Sequence, residues 1–293
     1  MKSALVSALL WICSVMPADA ATYGVARSAT PVLNSPAFSS VFGGRDGTTL
    51  KTDRCGQVRE LEFVALPGTV FTIMAELQSN GNRVFRVTTD DYTPSSGKDL
   101  YVDSRLIETR TEPPSRRIRK LPPLPEVVAG LKGSMGSSYV WGGNLREGVA
   151  EMAGLYYDGP ALSTGDRLRL TLAGLDCSGL LYQATGGWTP RNTSQLVSFG
   201  TGLRVSGKGP DEITELLEPL DLIVWNGHVV IVLDRDTAIE SRLECGRQGN
   251  GGVVTTPLRK RLGEIMRTRR PLDHWPAAGK QRDVFVIRRW YGL

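Results

Sequence analysis

The sequence predicts an α+β protein: a short β-rich unit, then a larger one built as a helix followed by an antiparallel sheet. Three observations predict it. Between residues 58 and 111, short β-branched and aromatic runs alternate with turn residues. Behind Asp176, apolar residues fall at helical spacing, and after residue 220 the apolar runs become strand-length. A proline-rich stretch at 112–125 separates the two textures.

Residues 1–20 start with Lys2, continue through an apolar run from Ala4 to Val15 and end on Ala18-Asp19-Ala20. That describes a secretory signal peptide cut after Ala20, with an apolar run too short to span a bilayer. Cys13 leaves with it, and the mature chain is expected in the periplasm, in the cell wall or outside the cell. No other stretch is apolar enough for long enough to span a membrane. Residues 21–57 are rich in Ser, Thr, Gly, Ala and Pro without a sustained period, and are expected to be loosely ordered.

In 58–111, runs at 61–66, 69–74, 83–87 and 99–103 read as strands, with Pro67-Gly68 and Asn80-Gly81-Asn82 as tight turns. This makes a small β-barrel whose strand order resembles a bacterial SH3-like module. In 112–125, Pro113, Pro114, Pro122, Pro123 and Pro125 make a stiff connector. Its basic run (Arg116, Arg117, Arg119, Lys120) is expected to be solvated, with contact to an anionic polymer as the alternative. Within 126–293, residues 126–131 read as a helical start, and 145–174 as an excursion with little regular structure. A helix begins near Cys177, and strands follow at 222–225, 228–233, 238–241 and 283–288.

The chain carries 35 Lys and Arg against 30 Asp and Glu, a net charge of +5. A modest positive field favours anionic partners, which outside the cytoplasm are wall polymers or acidic lipids rather than nucleic acid. Of the 4 cysteines, those left after Cys13 are Cys55, Cys177 and Cys245. An odd count in an exported chain predicts one pair and one free thiol. With Cys177 reserved for chemistry, Cys55 and Cys245 are the candidate pair; two unpaired thiols are the alternative.

Asp176 suits a helix N-cap, which puts Cys177 in the first turn, where free N–H groups favour a thiolate and can hold an oxyanion. Ser178 and Gly179 are small and leave the sulfur approachable. Asn226-Gly227 between two apolar runs is a hairpin signal that puts His228 at a strand start on the rim. His228 is one of 2 histidines; His274 lies in a Pro-rich loop. Glu240, on the next strand, is the candidate to orient the imidazole, with Asp234, Asp236 and Glu244 as competitors. There is no Cys-x-x-Cys, His-x-x-x-His or Gly-x-x-x-x-Gly-Lys, so no metal or nucleotide site is expected and no cofactor is needed.

Five blocks in order carry a family resemblance: Tyr139-Val140-Trp141-Gly142-Gly143, Asp176-Cys177-Ser178-Gly179-Leu180, Pro190-Arg191-Asn192-Thr193-Ser194-Gln195, Leu220-Asp221-Leu222-Ile223 and Gly227-His228-Val229-Val230-Ile231. Over about residues 125–293 the chain resembles the NlpC-type papain-like cysteine endopeptidases of bacterial cell walls. The resemblance implies a papain-like catalytic domain, its nucleophile helix packed on an antiparallel sheet, behind the SH3-like barrel. It implies hydrolysis of peptidoglycan stem peptides, commonly between γ-D-glutamate and a diamino acid; the chain itself is expected to be a monomer. Cys177 is then nucleophile, His228 base and Glu240 the third polar member, where relatives usually carry histidine. Tyr139, Asp176 and Ser178 would hold the substrate, Asp176 and Ser178 through a free peptide amine, and Arg191 would meet a substrate carboxylate. The stretch 145–174 is longer than in relatives and would line or partly cover the cleft. An inactive wall-binding protein and an acyltransferase or amidase on the same fold are the alternatives.

Overall fold

The computed structural model describes residues 22–43, 50–94, 97–246, 251–277 and 281–292. The signal-peptide reading of 1–20, with Cys13, lies outside the described residues. No helix among them is long and apolar enough to cross a membrane.

The N-terminal unit is strand-built: β1 (Thr22–Ala26), β2 (Thr30–Leu33), β3 (Leu61–Ala65), β4 (Val70–Ser79), β5 (Asn82–Thr88), β6 (Leu100–Asp103) and β7 (Ile107–Arg110), with α1 (Phe38–Phe42) between β2 and β3. They form one sheet in the order β3-β2-β6-β5-β4-β1-β7. Its neighbours all run antiparallel. The Asn80-Gly81 turn joins β4 to β5 in register, Ser79 opposite Asn82. Phe63, Phe71, Phe85 and Ile107 fill the interior, and the rings of Phe63 and Tyr92 stack at 4.5 Å.

Two expectations are corrected here. Residues 21–57 are not loosely ordered throughout: β1 and β2 are integral strands, and α1 buries Phe38, Val41 and Phe42. Gly24 hid β1 from a propensity reading. A Cβ there would sit 2.7 Å from Ile107 Cγ2, so the close approach of β7 requires the glycine. The 145–174 excursion carries α3 (Glu151–Tyr156) and α4 (Thr164–Leu170), framed by the paired short strands β8 (Asn144–Leu145) and β9 (Gly174–Leu175). Val149, Met152, Tyr156 and Leu172 pack on α1 rather than over a cleft. Tyr156 Oη donates to Asp103, and Arg105 pairs with the same carboxylate at 2.7 Å.

The basic residues of the connector are mostly exposed, and its arginines also pair within the chain. Arg116 lies 2.6 Å from Asp90, Arg117 and Arg119 pair with Asp91, and Arg117 Nη1 donates to the Gly186 carbonyl at 3.0 Å.

The C-terminal unit starts with α2 (Leu124–Gly133) and, after β8, α3, α4 and β9, continues with α5 (Cys177–Ala184) and α6 (Thr193–Leu196). Next come β10 (Thr201–Gly202), α7 (Pro210–Leu216), β11 (Leu222–Trp225), β12 (His228–Val232) and β13 (Thr237–Leu243). β14 (Gly251–Pro257), α8 (Leu258–Met266), β15 (Arg270–Leu272) and β16 (Val284–Arg289) complete it. The sheet order is β10-β16-β11-β12-β13-β14, with β15 parallel to β16. Alternation along β12 feeds two layers. Val229 and Ile231 join Leu180, Leu181 and α2 on one face; Val230 and Val232 join Ile213 of α7 and Leu258, Leu262 and Ile265 of α8 on the other.

Several contacts join the units, among them a disulfide and a buried side-chain bridge. Cys55 and Cys245 form a disulfide, Cα to Cα 5.0 Å. Asn144 caps the edge of β3 with two 2.9 Å bonds, accepting from the Val64 N–H and donating to the Val64 carbonyl. We predict that Asn144→Leu lowers the unfolding free energy by about 1–3 kcal/mol for each buried group left unpaired. A urea melt checks this; an unchanged midpoint contradicts it.

Candidate active site

Asp176 is extended (φ −85°, ψ −178°), and its carboxylate accepts from Gly179 N–H at 2.7 Å, which starts α5 at Cys177. By position, the N–H groups of Cys177 and Ser178 have no intrahelical acceptor. The first turn runs hard against the 142–143 backbone: Asp176 N–H donates to the Gly143 carbonyl at 2.9 Å, and a Cβ on residue 179 would lie 2.0 Å from that oxygen. Only glycine allows this approach. Cys177 is 7% exposed, and its Sγ lies 4.0 Å from the Gly227 carbonyl in the β11–β12 turn.

That turn holds His228 opposite Trp225, their rings 5.2 Å apart. His228 Nε2 lies 2.7 Å from Glu240 Oε2, and Cys177 is near enough to help raise the pKa of the ring. With Nε2 engaged, Nδ1 is the nitrogen left for the sulfur. Gly227 N–H donates to Thr193 Oγ1 at 3.0 Å, which pins the turn to α6. Glu240 is 1% exposed. Of its competitors, Asp234 and Asp236 sit in the β12–β13 turn, and Glu244 pairs with Arg242 at 3.0 Å.

The charges set the ring. Burial works against the imidazolium, but hydrogen bonds and negative charge from Cys177 and Glu240 push His228 up to about 9. Burial likewise opposes the Glu240 carboxylate, yet His228 and Arg261 hold it down at about 2. Arg261, on α8, reaches both oxygens. Its Nη2 donates to Oε2 at 2.8 Å, and its Nε lies 2.6 Å from Oε1 in an ion pair without hydrogen-bond alignment. Arg242 stands off at 3.6 Å. The sequence pattern missed Arg261 and Arg242. The 258–262–265 apolar spacing marks α8 as a helix, but nothing in it says which carboxylate its arginine meets.

Tyr139 is nearly buried, and the chain around it is gripped by Gln57, which accepts from Trp141 N–H at 2.8 Å and donates to the Tyr139 carbonyl at 3.5 Å. Burial, then the charges of Asp176 and Cys177, push its hydroxyl pKa up, so it stays a neutral donor beside them. Ser178 Oγ donates to Asp176 Oδ1 at 3.3 Å.

Arg191 is corrected. It is 2% exposed, and every N–H of its guanidinium has an acceptor inside the protein. Nη1 donates to Asp176 Oδ1 (3.0 Å) and Ser178 Oγ (2.9 Å), Nη2 to Asp176 Oδ2 (2.7 Å) and the Gly143 carbonyl (3.2 Å), and Nε to Asn144 Oδ1 (3.1 Å). A guanidinium is buried at tolerable cost only when satisfied in this way, which leaves nothing for a substrate carboxylate. Arg191 braces the helix start instead. Among the described residues, Cys177 is the free cysteine, and no group of His, Cys, Asp and Glu has the arrangement to hold a metal.

No family model matches the chain, and no curated protein matches it. Among solved structures it is similar to an NlpC/P60 family protein from Bacillus cereus ATCC 10987, at 14% identity and a TM-score of 0.33, over 92% of this chain and 64% of that one. It is also similar to NlpC1 of Trichomonas vaginalis (13% identity, TM-score 0.30, 92% of this chain and 69% of that one). The same holds for NlpC2 of that organism (13%, 0.31, 92% and 72%). The chain thus spans just under two thirds of the length of the Bacillus cereus protein.

Proposed function

We propose that this chain is an exported, monomeric cysteine peptidase that hydrolyses peptidoglycan stem peptides at the γ-D-glutamyl–diamino acid bond. The observation that supports the reading is the succession Cys177–His228–Glu240: a thiol at a helix start, an imidazole whose pKa the thiol helps to raise, and a buried carboxylate on the ring's Nε2. The five sequence blocks support the substrate class. The N-terminal sheet is read as an SH3-like module, starting at β1, that walls the groove beside a papain-like catalytic unit.

In this mechanism the Cys177 thiol gives its proton to His228 Nδ1, and the thiolate attacks the scissile carbonyl carbon. The tetrahedral oxyanion faces the N–H groups at the start of α5. As it collapses, the imidazolium protonates the departing amine, leaving a thioester on Cys177. Water then gives a proton to His228 and attacks the thioester; the acid leaves and the thiol regains its proton. Glu240 keeps the ring aimed and stabilises its charged form. Tyr139, Asp176 and Ser178 are read as the residues that hold the peptide end.

Two outcomes follow. Wild-type protein incubated with defined stem peptides yields two fragments by mass spectrometry, whereas Cys177→Ala yields none. Equal cleavage by both would remove Cys177 as nucleophile, and transfer of the acyl group to an added amine in place of water would make the protein an acyltransferase. In the free enzyme, kcat/KM falls above about pH 9 as His228 loses its proton. Glu240→Gln removes a charge that raises the ring's pKa, so the alkaline limb moves to lower pH, while kcat drops about 10²–10⁴-fold. A pH–rate profile of both proteins checks the direction; a limb that stays put contradicts it.

A further inference from the structure

Arg261 belongs to α8, on the opposite face of the sheet from the nucleophile helix. Leu258, Leu262 and Ile265 bury that helix, and Arg261 projects from beside them to a carboxylate that is 1% exposed. The charged groups around the His228–Glu240 pair come from several elements. Cys177, with Asp176 next to it, faces the pair from α5, and Arg242 from β13. Arg261 comes from α8 together with Glu264, which accepts from Arg261 Nη1 at 3.3 Å. Arg269, after α8, lies 4.6 Å over the Trp225 ring, which in turn packs on His228. Arg242 is divided between Glu240 at 3.6 Å and Glu244 at 3.0 Å, and its side chain is 34% exposed. Arg261 is better buried, at 16%, and sits at bonding distance of both Glu240 oxygens.

A buried carboxylate with only an imidazolium as counter-ion makes a poor acid–base device. When the ring gives up its proton, a bare anion is stranded out of water, so the proton is held too tightly. A second, permanent cation changes this. The carboxylate is then neutralised whether or not the ring is charged, and the ring can cycle. Arginine suits the place because its planar fork spans two oxygens and it does not itself deprotonate. We propose that Arg261 is a positioning residue that shares the charge of Glu240 and so keeps the His228 proton transferable. The assignment rests on the peptidase reading above, and extends it to a residue on the other face of the sheet.

The test is the ring titration of His228, followed by ¹H–¹⁵N NMR and distinguished from His274 by a His274→Asn background. It is run on wild type, Arg261→Gln, Arg261→Met and Arg261→Lys, each with and without Glu240→Gln, and paired with kcat and KM across pH. The Gln and Met variants are expected to bind the His228 proton at least about tenfold more tightly, a rise of one pH unit or more. Their kcat should fall by a similar factor with KM little changed, and Lys should restore most of both. In the Glu240→Gln background the same changes should move the ring by far less, because Arg261 acts through the carboxylate. A His228 that titrates alike in wild type and Arg261→Gln would overturn the assignment, as would an equal shift without the Glu240 carboxylate. The NMR readout needs no turnover, so a wild type that cleaves nothing counts against the peptidase reading and leaves this assignment to the titration.

Discussion

The buried guanidinium of Arg191 is the interaction on which the rest depends. It joins the N-cap carboxylate of α5, the Ser178 hydroxyl, the Gly143 carbonyl and the Asn144 amide. Asn144 in turn completes the edge of β3 in the N-terminal unit. One cation thus fixes where the helix starts, how close the 142–143 backbone comes to it, and how the two units meet. Breaking a buried pair by removing one partner costs about 3–5 kcal/mol, since the other charge is stranded. Here the stranded group would be the cap that orients Cys177. Electrostatics does not favour such a pair over apolar packing in general, so its use here fits a need for registration more than for stability.

From that fixed helix start, the charges alternate through the sheet: thiol on α5, imidazole on β12, carboxylate on β13, guanidinium on α8. Each comes from a different element, and the antiparallel register sets the distances. The hairpin at 226–227 lets His228 follow Trp225 directly, and the β12–β13 turn returns Glu240 to the ring. The depressed Glu240 and the raised His228 have the same cause, proximity in a place where burial alone would push both the other way. The disulfide at Cys55 adds a covalent tie from the N-terminal unit to the loop after β13.

Much of this was legible in the chain because it is local. An Asp-Cys pair at a helix start, an Asn-Gly hairpin ahead of a histidine, and period-two apolar runs each act within a few residues. Glu240 was legible as the strand residue following the turn, although the sequence left Asp234, Asp236 and Glu244 open. What escaped depends on distant partners. Arg191 has the same composition whether it faces solvent or a carboxylate; only the convergence of Asp176, Gly143 and Asn144 shows that it is spent. Residues 145–174 look irregular because Val149, Met152 and Tyr156 match a surface on α1, far away in sequence. β1 was hidden by a glycine that its neighbour β7 demands, and Arg261 by the absence of any local sign of the carboxylate it meets.

Nucleophilic catalysis at position 177 requires a covalent bond between Cys177 and half of the substrate. Acid-quenching a reaction with a stem peptide at early times and mapping the protein by mass should find the N-terminal fragment of the peptide on Cys177, with the amine fragment released in equal amount. Product accumulating with no adduct on that residue, or an adduct on another one, would contradict it.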